Sequence, residues 1–311
     1  MARFSDILKN IFFLFLILQI APSVIKNIQK QYVQFFELHS QVGLISIDGD
    51  IRDSMKYVKH IKSFFKNPEI KAIVLKINSG GGAAGSGQAI FNEINLLQKK
   101  YPKPIITITE NTLASAAYYI AAATNMIISS PSTLIGSIGG YLPHQFKLND
   151  LAEQWKVHVE TVSAGKYKML GDPFTSTTPE GKAILQSIAN DAYQQFIQDI
   201  SKSRKLSLEN ATEWAEGKIF TGNQALKLGL IDEIGSWSNA VERIREKALI
   251  EGKIEWVIPP KPSAIFQLFG STEENDDPTI QENSHRSFMD SFINSFINII
   301  EERYRAHNTI S

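Results

Sequence analysis

With 311 residues, 43% of them hydrophobic, the chain is long enough for one large domain or two small ones with a substantial core, which excludes a disordered polypeptide. Lysine plus arginine balances aspartate plus glutamate at 32 each, so no net field directs the chain to nucleic acid or to an anionic surface. It has no cysteine, which removes thiol nucleophiles, disulfides and thiolate metal sites.

Behind Arg3 and Lys9 the chain is uncharged from Asn10 to Ile25, through Ile-Phe-Phe-Leu-Phe-Leu-Ile-Leu at 11–18, until Lys26 and Lys30. The stretch is shorter than the roughly 20 residues of a bilayer span, yet too apolar to lie exposed. It reads as a short signal anchor within an amino-terminal segment 1–38, which makes the membrane a partner. A secretory leader and a buried helix of a soluble fold are the alternatives. Ala21 and Ser23 form only a weak cleavage signal, because Pro22 separates them.

From residue 42 short β-like runs alternate with longer helical ones, which predicts an α/β domain over 39–258. Strands are expected at 42–48, 72–77, 104–109, 126–129 and 230–232. Helices are expected at 53–66, 84–100, 179–203, 208–216, 222–228 and 237–248. Ile90, Ile94 and Leu97 share one face of the second helix, and Pro179 with Glu180 suits the first turn of the third. After Pro259-Pro-Lys-Pro262 the composition turns polar and acidic, a linker over 259–286. Residues 287–311 then read as an amphipathic helix with Phe288, Phe292 and Phe296 along one stripe, suited to core packing or a subunit contact. A membrane interface is the sharper alternative, though the polar face lacks cations.

Three stretches bear on chemistry. The first, Ile77-Asn-Ser-Gly-Gly-Gly82, continues to Gly85 and so spells Gly-x-Gly-x-x-Gly from Gly80, after an apolar run and before a helix. With Glu110 at the end of the next apolar run, this is the dinucleotide-binding pattern, and a nucleotide-binding oxidoreductase is one reading. The same glycines suit any anion met by backbone amides. The second stretch is Thr112-Leu-Ala-Ser-Ala-Ala-Tyr-Tyr-Ile-Ala-Ala-Ala123, a run of small residues around Ser115 where a strand gives way to a helix. Ser115 is there a nucleophile, or simply a helix cap. The third, Ser163-Ala-Gly-Lys-Tyr-Lys-Met-Leu-Gly-Asp-Pro-Phe174, is a solvated basic loop or the source of a base. Six histidines are present without metal-ligand spacing and there is no Gly-x-Ser-x-Gly, so no metal, cofactor or histidine triad is expected, with His144 the least secure exclusion. A lysine whose pKa is lowered by burial can replace histidine as the base.

These stretches, with Ile135-Gly-Ser-Ile-Gly-Gly140 between the second and third and Gly217-Lys-Ile-Phe-Thr-Gly-Asn-Gln-Ala-Leu-Lys-Leu-Gly-Leu-Ile-Asp232 after them, resemble in order and spacing the signal peptide peptidase SppA family of serine proteases. The resemblance covers about residues 40–250. It implies a ClpP/crotonase-like spiral of ββα units preceded by the amino-terminal membrane helix. Ser115 becomes the nucleophile and Lys168 the general base, chosen over Lys166 because the family's base follows the aromatic position, here Tyr167. Ser137 orients the lysine amine, and the amides of Gly81, Gly82 and Ala116 face the oxyanion. Met169, Leu170 and Phe174 are expected to close an apolar pocket around Lys168. The resemblance further implies a homo-oligomer whose dyad is shared between subunits, held on the outer face of a bacterial-type cytoplasmic membrane, and cleaving signal peptides or other unfolded chains. Two positions depart from the family pattern: Ala116-Ala117 replaces Gly-Gly, which is expected to narrow the S1 side, and Gly80 replaces Pro. They leave an inactive membrane-anchored scaffold as the other alternative.

Overall fold

The computed structural model describes residues 39–142 and 146–260, together with Leu14, Phe15, Gln19, Ala21, Pro22 and Val24. Apart from those few positions, the expected anchor and the 287–311 helix lie outside the described residues, as does the linker beyond Pro260. His144 lies outside them too. Among the described residues no helix is long and apolar enough to cross a membrane.

The longest strands come first. β1 (His39–Ile51) and β2 (Ile70–Gly82) pair in parallel, and β2 pairs on its other side with β3 (Ile105–Thr109), which pairs with β5 (Met126–Ser129). β8 (Glu233–Ile234) extends one edge and β9 (Lys253–Val257) the other, giving the parallel order β9-β1-β2-β3-β5-β8. Consecutive residues of β2, Ala72 to Leu75, are all buried, as a parallel sheet covered on both faces requires. Strand alternation sorts them: Ile73, Leu75 and Ile77 join the large core with Ile45 and Ile47, whereas Ala72 and Val74 join Val42, Ile106 and Ile128 on the opposite face. The large core is covered by α1 (Met55–Lys66), α2 (Ala84–Lys100), α3 (Ala116–Ala122) and part of α5 (Pro179–Arg204). The opposite face receives Ala240 and Ile244 of α8 (Trp237–Ala248).

The sheet branches at the end of β2. There Ser79 pairs with Leu113 of β4 (Thr112–Ala114), which pairs in parallel with β6 (Leu134–Gly136), itself antiparallel to β7 (Ile219–Thr221). The result is a mixed α/β fold with a curled sheet, consistent with a ClpP-like spiral. Two short helices, α4 (Asn149–Gln154) and α6 (Ala211–Trp214), and a third, α7 (Gly222–Lys227), lie in the connections.

Several local expectations are corrected. The strand expected at 230–232 is a turn: Gly229 takes φ 75°, Leu230 N–H returns to Ala225 C=O at 2.9 Å, and the ladder begins only at Glu233. The helix expected at 208–216 is split into a 3₁₀ turn, Leu208–Asn210, and α6, because positive φ at Glu216 and Gly217 ends it early. β2 carries its pairing through the glycines as far as Gly82, so the supposed loop is the end of a strand.

Candidate active site

Ser115 lies at the strand-to-helix junction between β4 and α3, with φ 52° and ψ −127°, a conformation costly for a residue with a side chain. Its N–H donates to Gly136 C=O at 2.8 Å, and its own C=O accepts the first helical bond, from Tyr119 N–H at 2.9 Å. Ser137 has φ 51°, and its N–H donates to Lys218 C=O at 2.7 Å. Because Ala114 and Gly136 are register partners in parallel strands, Ser115 and Ser137 are the next residue on each and emerge at the same end of the branch.

The β2 glycines close against this serine. A Cβ on Gly81 would lie 2.7 Å from Ser115 Cβ and 3.0 Å from Ala116 N, so only a residue without a side chain fits there, and φ 113° makes the same demand. Gly82, with φ 155°, is held equally close to Ile51 of β1. The Gly81 N–H is engaged within its own strand, donating to Ser79 Oγ at 3.0 Å. The Ala116 and Ala117 side chains are buried, and a Cβ on Gly87 would stand 2.8 Å from Ala116 Cβ. The Ala116 methyl thus faces Gly87 of α2.

The helix that carries Ser115 is anchored through Tyr119, whose ring stacks on Phe196 at 4.3 Å and whose hydroxyl donates to Asp199 of α5. Burial, reinforced by the Asp199 carboxylate, holds that phenol well above its ordinary pKa, so Tyr119 stays neutral and acts as an anchor. A cavity of about 430 Å³, lined by Asn95, Asn125, Arg204 and Asp232 among others, opens at the other end of α3.

The lysine loop is turned differently from expectation. Lys166 Nζ donates to Glu180 at 2.7 Å, and Tyr167 Oη donates to the same carboxylate. The Glu180 bond, then that of Tyr167, raises the Lys166 pKa, the wrong direction for a base. Lys168 is exposed, and among the described residues no hydrogen bond ties its amine to Ser115 or Ser137. Leu170 turns inward against α5, where a Cβ on Gly181 would meet its Cδ1 at 2.7 Å, while Phe174 remains 40% exposed. A single chain therefore does not wrap Lys168 in the apolar pocket its neighbours were expected to form. Sequence reasoning missed Ser79, whose hydroxyl knots the glycine strand end, and assigned Glu180 only to a helix first turn. The Ser79 signal is its place inside the glycine motif itself.

A curled, almost wholly parallel sheet thus ends on a strained serine with glycines pressed against it, and comparisons with known proteins identify the family. Residues 97–251 match the model described as Peptidase family S49. The serine protease SPPA of Arabidopsis thaliana chloroplasts is 34% identical over 246 residues, 77% of this chain and 36% of that one. A relative from Methanocaldococcus jannaschii is 32% identical over 63% of this chain and 62% of its own, and one from Synechocystis sp. is 32% identical over 64% and 72%. The chain belongs to peptidase family S49, the signal peptide peptidase SppA family. It spans less than two thirds of the Methanocaldococcus and Arabidopsis relatives.

Proposed function

We propose that this protein is a serine endopeptidase with a Ser115–Lys168 dyad, acting on signal peptides or other unfolded chains through an acyl-enzyme. The observation that carries the reading is the strained Ser115 with Gly81 packed against its Cβ, a geometry that brings the glycine strand end and the Ala116 amide beside the nucleophile. Neutral Lys168 takes the Ser115 proton as the hydroxyl attacks the peptide carbonyl, and the resulting ammonium protonates the leaving amine. Water then hydrolyses the acyl-enzyme. Gly82 and Ala116 face the oxyanion, and Ser137, beside Ser115 at the branch, orients the lysine. Engagement of Lys166 by Glu180 supports Lys168 as the base.

The exposed loop and its surroundings favour a shared site. Tyr141, Trp155 and Val162 are 81%, 74% and 95% exposed on the same connection that carries Lys168, apolar surface that a second copy could cover. A second copy covering this connection would exclude water from Lys168, the environment a neutral amine base needs. The uncharged stretch at 10–25 supports a membrane anchor; Lys9 and Lys26 on its two sides favour neither orientation, and the outer face of the cytoplasmic membrane is what the family resemblance implies.

The reading is tested with the full chain in detergent on an unfolded peptide substrate. Ser115→Ala and Lys168→Ala should each reduce cleavage by roughly 10³-fold or more, and Lys166→Ala should leave most of it. Mixing the two inactive variants should restore activity if the dyad joins two subunits. Undiminished cleavage by Ser115→Ala would remove the mechanism and return the inactive-scaffold alternative.

A further inference from the structure

The oxyanion strand end needs something to hold it. Gly81 and Gly82 occupy φ values that glycine reaches easily but does not prefer, so the glycines alone do not fix where their amides point. Ser79 is a side chain that can, being 2% exposed at the point where β2 exchanges β3 for β4 as its neighbour. Its Oγ lies 2.5 Å from Gly49 C=O and 3.0 Å from Gly81 N, with Gly81 C=O at 3.3 Å. A hydroxyl has one proton and two lone pairs, so the short contact to Gly49 C=O takes the proton and a lone pair accepts the Gly81 N–H.

We infer that Ser79 is a positioning residue for the oxyanion donors: by tying Gly81 N–H to the bulge of β1 at Gly49, it leaves Gly82 and Ala116 as the amides that meet the oxyanion. The Gly81 amide is thereby a strut and not a donor. Because Gly81 stands in contact distance of Ser115, a shift of a few tenths of an ångström in this strand end displaces donor against nucleophile, and catalysis is sensitive to displacements on that scale. This inference rests on the reading of Ser115 as nucleophile.

The test compares Ser79→Ala, Ser79→Cys and Ser79→Thr with the parent in the full chain. Three quantities are read: kcat and KM on the unfolded peptide, the rate of Ser115 labelling by a fluorophosphonate, and the melting temperature. Ser79→Ala should lower kcat and the labelling rate together by about 10- to 100-fold, with KM within about threefold, since transition-state donors are lost and substrate contacts are not. Ser79→Thr keeps the hydroxyl and should recover most of the rate. Ser79→Cys preserves size with a much weaker donor and should show an intermediate kcat loss, so a Ser79→Ala protein that does not fold leaves the question answerable. A lowered melting temperature with parental kcat in the Ala or Cys variant assigns Ser79 a structural role alone and overturns the inference. A parent that neither cleaves nor labels at Ser115 overturns the underlying reading instead, and this inference with it.

Discussion

At the scale of single residues, close approach is what makes Gly81 irreplaceable. Gly81→Ala would place a methyl 2.7 Å from Ser115 Cβ in a left-handed conformation, so it should destabilise the fold by about 1–3 kcal/mol and abolish cleavage. A thermal melt and a peptide assay check both halves, and a Gly81→Ala protein of parental activity would show that the strand end can move aside. Glu180 gives a pH dependence. The Lys166 hydrogen bond, then that of Tyr167, lowers the Glu180 pKa, so its hold on the lysine loop is fully present above the ordinary value of 4.5 and is lost as pH falls through the lower folded value. Limited proteolysis within 163–171 should therefore stay slow from neutrality to about pH 4.5 and accelerate below it, whereas Glu180→Gln should be cut readily throughout. Ser115, Lys168, Ser137 and the glycines were nominated by ordered motifs in the sequence. Ser79 and Glu180 were not, because each acts through a hydrogen bond to atoms whose position depends on the fold.

At the scale of elements, long and strongly patterned segments were read closely. The helices at 84–100 and 237–248 and the strand at 126–129 match α2, α8 and β5. The short strands β4, β6, β7 and β9 escaped, since three to five residues carry too little periodicity, and α4 escaped for a similar reason. The turn at 229–232 shows what replaced an expected strand. Asp232 accepts the Ile127 N–H at 2.7 Å and two bonds from Arg204 at 2.9 Å, fastening the end of α5 to β5. The Arg204 side chain is 9% exposed and that of Asp232 34%, so the pair is only partly desolvated. Arg204→Ala should cost about 2–3 kcal/mol, at the lower end for breaking a buried pair, measured by denaturant unfolding. A loss below about 0.5 kcal/mol would mean that water replaces the guanidinium freely.

At the scale of the molecule, the proposed shared site makes the exposed connection that carries Lys168 the surface to test. Trp155→Asp combined with Val162→Asp should reduce the mass seen by light scattering to that of a monomer and lower peptide cleavage at least tenfold, with an unchanged melt of the isolated chain. Parental mass in this double variant would place the subunit contact elsewhere. By itself the sequence determined the class: apolar runs alternating with helical periods specify an α/β core because burial follows period, and ordered glycine, serine and lysine motifs specify the family. Only the tertiary structure decided that the glycine stretch is a strand end pressed on Ser115, that Ser115 and Ser137 emerge together, that the Ala116 methyl faces the core, and that Lys166 is committed to Glu180 while Lys168 stands exposed. Register, backbone strain and hydrogen-bond partners arise between residues far apart in the chain, and no local pattern encodes them.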